Sequence, residues 1–208
     1  MTGYYDYLII LSPAEGIINQ VKELKEDSFA LIGDFEGRLS KASICVQQWS
    51  RKKPVWIEPM IPKLERDLQT LPPIILDING FDFFDQQETK TIYARLQSSP
   101  ATEVWFKQLR MYFNKVKFVP HIPIVKCLSP EAHQILWPNF KDLQWDAKFK
   151  ISKLTILRRE TIGYDKTYKL FKEIPFNTRI DFYEFTNAKL RRPPVTVTRV
   201  SSQQFSLF

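Results

Sequence analysis

Ile74-Ile75-Leu76-Asp77-Ile78-Asn79-Gly80-Phe81-Asp82-Phe83-Phe84, then Asp85-Gln86-Gln87, then Thr89-Lys90-Thr91-Ile92-Tyr93-Ala94-Arg95-Leu96 is the stretch that decides the fold class. Two runs rich in β-branched and aromatic residues flank a short polar turn, so together they predict an antiparallel hairpin. A hairpin inside a chain that otherwise alternates strands and helices excludes a purely parallel sheet. The class is α+β with antiparallel or mixed sheets.

On the N-terminal side, residues 5–11 predict a buried strand. Ser12-Pro13-Ala14-Glu15 follows as a capping box with Ser12 as N-cap. The helix after it places Ile17, Ile18, Val21 and Leu24 on one face. Residues 38–48 predict a strand, because Ser43, Cys45 and Gln47 alternate with Ile44 and Val46. Ile57, Ile61, Leu64, Leu68 and Leu71 mark an amphipathic helix that Pro72-Pro73 stops. On the C-terminal side, Ser99-Pro100 opens a helix that buries Trp105, Leu109 and Tyr112, and Ser129-Pro130-Glu131 caps a second. Residues 117–127, 145–158 and 166–174 predict three more strands. The order suits two similar lobes facing each other across a groove.

The composition narrows the function classes. The chain has 208 residues, 44% of them hydrophobic and 14% aromatic, which excludes wholesale disorder. Only 6 Gly stand against 14 Pro, and no glycine-rich phosphate loop is present, so the common nucleotide-binding folds lose their main support. The apolar run Leu8 to Leu11 is far too short to span a bilayer or to serve as a signal segment, so no membrane association is expected. Two cysteines, Cys45 and Cys127, make no disulfide framework. They are expected to pack as small hydrophobes on strands in a reducing cytoplasm.

The net charge of +7 permits a polyanionic partner. It is uneven: from Thr178 onwards five basic residues stand against two acidic ones. A boundary near Asn177 is therefore expected, with a bilobal domain over 1–177 and a basic extension over 178–208. The extension holds the linker-like Arg191-Arg192-Pro193-Pro194 and an alternating stretch at 195–200 that suits a flexible leader or an edge strand.

The two histidines are His121, in Phe118-Val119-Pro120-His121-Ile122-Pro123-Ile124, and His133, in the helix after Ser129. His133 is expected to be a solvated or capped helix residue. No metal-ligand spacing links the histidines to Cys127, so neither metal nor cofactor is expected. Val119-Pro120-His121-Ile122-Pro123-Ile124, the hairpin above, residues 147–158 and residues 168–176 together resemble the 2H phosphoesterases, in the branch of 2'-5' RNA ligase-like proteins and RNA cyclic phosphodiesterases.

The resemblance covers residues 4–176 and implies a bilobal pseudo-twofold α+β fold. Each lobe of that fold presents one H-x-[ST] motif to a central groove. Residues i and i+2 of a strand share a face, so a histidine can exchange a proton while the hydroxyl two places on holds a phosphate oxygen. This sequence departs from the pattern twice. At the first motif Lys41 stands in place of histidine and Ser43 keeps the hydroxyl; at the second His121 is kept and Pro123 replaces the hydroxyl residue. An ordinary lysine is a fixed cation at neutral pH, so Lys41 is cast as a phosphate clamp rather than a proton carrier. The resemblance implies His121, Ser43 and Lys41 as catalytic positions, with Tyr93, Arg95 and Arg158 as further residues able to meet RNA or a nucleotide phosphate. With half of each motif gone, weak or lost phosphodiesterase activity is expected.

The last residues offer an alternative. Gln204-Phe205-Ser206-Leu207-Phe208 resembles the peptide with which bacterial polymerases and repair proteins dock on the sliding clamp. Gln204 would make polar contacts there, and Phe205, Leu207 and Phe208 would supply the apolar anchors. In that case the chain is a nucleic-acid-associated adaptor.

Overall fold

A computed structural model describes residues 3–86, 88–113, 119–165 and 167–191; the clamp-like residues 204–208 and the alternating stretch 195–200 lie outside it. The first half runs β1 (Tyr5–Leu11), α1 (Glu15–Ile32), β2 (Ile44–Lys52), a short α2 (Pro54–Ile57), a 3-10 turn and α3 (Ile61–Leu68). The second runs β3 (Ile74–Gln86), β4 (Thr89–Leu96), α4 (Pro100–Tyr112), β5 (His121–Leu128) and α5 (Pro130–Lys141). Strands β6 (Asp146–Ile151), β7 (Lys153–Glu160) and β8 (Lys169–Pro175) follow, then α6 (Phe182–Leu190).

Two four-stranded antiparallel sheets result, ordered β2-β1-β7-β8 and β5-β4-β3-β6. The expected α+β class and two-lobed architecture are therefore present. Each lobe contributes a strand-helix-strand-helix run, β1-α1-β2-α3 and β4-α4-β5-α5, whose second strand is a sheet edge. Pro123 fits on β5 because an edge strand tolerates a missing amide donor. Helices α1 and α5 pack together against the second sheet, while α3, α4 and α6 form the other group. Trp105 of α4 is fully buried and donates its indole N–H to Pro72 O at 2.8 Å. That bond ties the helix to the proline pair that ends α3.

Several expectations need correction. The stretch 145–158 is not one strand: Ser152 breaks it, and β6 joins the second sheet while β7 joins the first. Strand β2 begins at Ile44 rather than near residue 38, because residues 36–40 form a bridge and turn. The helix around residues 57–71 is divided by a 3-10 turn at Glu58–Met60. Ser12 caps nothing; α1 has Ala14 as its N-cap with no side-chain bond, since Ala14 stays extended at φ −63°, ψ 155°.

The true capping box is at α4, where Ser99 Oγ accepts from Thr102 N and Thr102 Oγ1 accepts from Ser99 N. His133 is buried, with its ring 4.6 Å from Phe83 and stacked 5.8 Å from Trp137. Cys127 is exposed at positive φ rather than packed, and Cys45 is half-buried. Beyond residue 177 the described chain continues into α6, which packs on α4 and buries Phe182 and Thr186. No described helix is long and apolar enough to cross a membrane.

These caps separate in a mutational test. Ser99→Ala lowers stability in urea unfolding by about 1 kcal/mol, whereas Ser12→Ala changes it by less than about 0.5 kcal/mol.

Candidate functional site

His121 is the first residue of edge strand β5, and the register settles which face it shares. Arg95 lies opposite His121, Tyr93 opposite Pro123 and Asp82 opposite Tyr93, so these residues occupy one face of the sheet. The other face carries Phe81, Ala94 and Ile122, all buried, with Phe81 against Phe140 of α5. The His121 face is therefore the one turned away from α5.

Two rings clasp the imidazole: Phe84 at 4.8 Å and Tyr93 at 5.1 Å, both edge-on, with Phe84 and Tyr93 stacked on each other at 4.3 Å. His121 Nδ1 lies 2.8 Å from Val119 O, and a carbonyl can only accept, so Nδ1 carries the proton. In the neutral ring Nε2 then holds the free lone pair. Burial pushes the His121 pKa down, the Val119 bond opposes it, and the Lys126 ammonium pushes it down further. The neutral form thus dominates at pH 7.

On the first lobe, Cys45 faces Ile10, and Ile10 faces Thr155, so these residues share a face with Leu8, Leu157 and Arg159. Ser43 is half-buried two residues ahead of Cys45, and Lys41 is exposed in the loop before β2. That loop is held against the second lobe. An antiparallel bridge joins Glu36 to Lys126 of β5, and β2 and β5 are in contact. The carbon stem of Lys126 runs beside Gly37, at positive φ, where an added Cβ would lie 3.6 Å from it. The loop before Ser43 thus meets strand β5, which His121 opens, where the two lobes join.

A buried lysine fastens this loop. Lys25 of α1 is 3% exposed and donates to Gly37 O and Ser40 O at 2.7 Å and to Ser40 Oγ at 3.0 Å. Desolvation, with the nearby Lys126 charge, lowers its pKa to about 8. Its signal in the sequence was a lysine at the i+4 step after Ile17 and Val21, on the apolar stripe completed by Ser28. Lys126 gave no such signal.

The remaining expected residues are placed differently from one another. Tyr93 is buried, and burial with the Asp82 carboxylate holds its phenol above the ordinary value. It supports His121 rather than offering a free ring. Arg95 is exposed beside His121, with Nε donating to Asn79 O and Nη2 to Asn79 Oδ1, and it lines a cleft of about 660 Å³. Arg158 is not with Ser43: it lies opposite Tyr7, on the alternate face from Arg159. Its guanidinium sits 5.2 Å from the Tyr5 ring and 4.4 Å from the Phe171 ring and pairs with Glu58 at 3.3 Å.

The sign of the Lys25 shift can be checked by heteronuclear NMR of the lysine side chains. Lys25 titrates near pH 8, and Lys126→Met raises that value by removing a repelling charge.

No family model and no curated protein sequence matches the chain. Among solved structures it is similar to TT0787 of Thermus thermophilus, at 11% identity and a TM-score of 0.64 over 83% of this chain and 98% of that one. It is similar to E. coli LigT complexed with 3'-AMP, at 8% identity and a TM-score of 0.58 over 83% and 98%. A structure described as a phosphoesterase gives 10% identity and a TM-score of 0.53 over 82% and 98%. Identity this low speaks to architecture alone: the chain has the two-lobed 2H phosphoesterase fold.

Proposed function

We propose that the chain holds an RNA-type phosphodiester or a 2',3'-cyclic phosphate between its lobes, and that its phosphodiesterase activity is weak or lost. The single observation that carries this reading is the state of His121. Its ring is clasped by Phe84 and Tyr93, its Nδ1 proton is committed to Val119 O, and burial and Lys126 favour the neutral form. That leaves Nε2 as a base of fixed tautomer, which is what proton transfer to or from a phosphodiester oxygen requires. Ser43 supplies a hydroxyl donor for a phosphate oxygen, and Lys41 supplies positive charge at the loop that Lys25 anchors.

LigT, which shares the fold, was solved in complex with 3'-AMP, a nucleoside phosphate, and this favours a phosphate ligand here too. The departures explain the weakness. Lys41 offers no imidazole, and Pro123 has no hydroxyl to place beside the His121 ring. Losing one member of an acid–base pair typically forfeits about 10²–10⁴ in rate.

The direct test is hydrolysis of a 2',3'-cyclic nucleotide. Residual turnover disappears in His121→Ala, and the double change Lys41→His with Pro123→Thr raises kcat/KM by about 10²–10⁴. No gain from the double change overturns the reading.

A pH profile of that restored variant is a second measurement. The base form of His121 is lost as pH falls through its folded pKa, which is depressed. The acid limb of the profile therefore lies below the usual histidine value of about 6.5. Lys126→Met moves the inflection upward.

A further inference from the structure

We propose that Tyr4, Arg51, Lys53 and Trp56 form a docking platform for a single-stranded oligonucleotide that runs out of the groove along the first sheet. The platform lies at the far end of β2 from Ser43. From Ile44 to Lys52 the strand rises by about 3.3 Å per residue, or roughly 26 Å. There Arg51, Lys52 and Lys53 stand consecutively in the sequence.

The Arg51 guanidinium lies 5.3 Å and the Lys53 ammonium 5.6 Å from the Tyr4 ring, and Lys53 also lies 5.9 Å from the Trp56 ring. Trp56 is 58% exposed, between Val55 at 68% and Met60 at 52%. Arg51 holds φ +52°, a region that non-glycine residues seldom occupy, and its amide donates to Asp6 Oδ1 at 2.9 Å. The backbone beneath the platform is thus pinned to the first sheet.

One further pairing of cation and ring adjoins the platform. Arg159 bonds Asp6 Oδ2 at 3.2 Å and lies 4.6 Å from the Tyr168 ring. By strand register Cys45, Ile10, Leu8, Asp6 and Arg159 share one face of the first sheet, so the pair of Asp6 and Arg159 lies on the face that carries Cys45, two residues beyond Ser43.

Charge and shape select the occupant. Successive bases stack on exposed ring faces and successive phosphates meet cations, a pairing that tolerates any sequence because every base has a π-face. A duplex hides those faces. Protein interfaces deplete lysine from their cores, so three adjacent cations beside Trp56 suit a polyanion better than an apolar protein surface.

The test is equilibrium binding of a labelled oligoribonucleotide of about ten residues, within the ~4–16 nucleotides that one stacking groove covers. It is followed by fluorescence anisotropy against salt and repeated in a His121→Ala background. Trp56→Ala weakens binding by about tenfold. Lys53→Gln reduces the slope of log K against log salt by about 0.7, one phosphate contact. Both side chains are at the surface, and thermal melting verifies that each variant remains folded. The proposal is overturned if both variants bind like wild type, if a blunt duplex of the same sequence binds as tightly as the single strand, or if no binding occurs. Turnover does not enter the measurement, so failure of the phosphodiesterase reading leaves this outcome intact, and the reverse also holds.

Discussion

Ser152 is the one residue between two strands that belong to different sheets. Strand β6 pairs with β3 and ends at Ile151; β7 starts at Lys153 and pairs with β1. With a single residue between them there is no slack, so the position of one sheet limits that of the other. The junction is held on both sides. Ile151 and Leu154 are buried, and Ser152 O accepts from Phe176 N at 2.8 Å. Phe176 in turn packs edge-on against Trp105, whose indole ties α4 to Pro72. The sheet edged by β2 and the sheet edged by β5 are thus joined directly through this crossing.

Where β2 meets β5 the charges have distinct tasks. Lys25 spends its donors on Gly37 and Ser40 and so acts as a fastener. Lys126 bridges to Glu36 through its backbone and depresses the His121 pKa through its charge. Only His121 combines a fixed tautomer with a neutral ring. Lys41 and Ser43 stand before β2 of the first lobe, whereas His121 and Pro123 stand on β5 of the second, so the two halves present different side chains at these positions.

Local signals were readable where they involve neighbours in sequence. The hairpin of β3 and β4, the Ser99 and Ser129 caps and the stop at Pro72-Pro73 all depend on residues within a turn of each other. The Ser12 cap failed because Ser12-Pro13 resembles those two caps, yet Ala14 remains extended. The sheet switch at Ser152 was invisible, since 145–158 has suitable strand composition on both sides and only the partner strands differ. The burial of His133 is not legible locally, because its ring neighbours, Phe83 and Trp137, include one fifty residues away.

The sequence by itself determined the α+β class and the two-lobed order of elements. Each follows from residue type and short-range periodicity. Tertiary structure alone decided that Arg158 belongs to the face opposite Arg159, that Tyr93 is buried support for His121, and that a lysine in helix α1 clamps the loop before Ser43. Those outcomes depend on which strand pairs with which and on how much water each side chain loses, and neither quantity is written in any single segment.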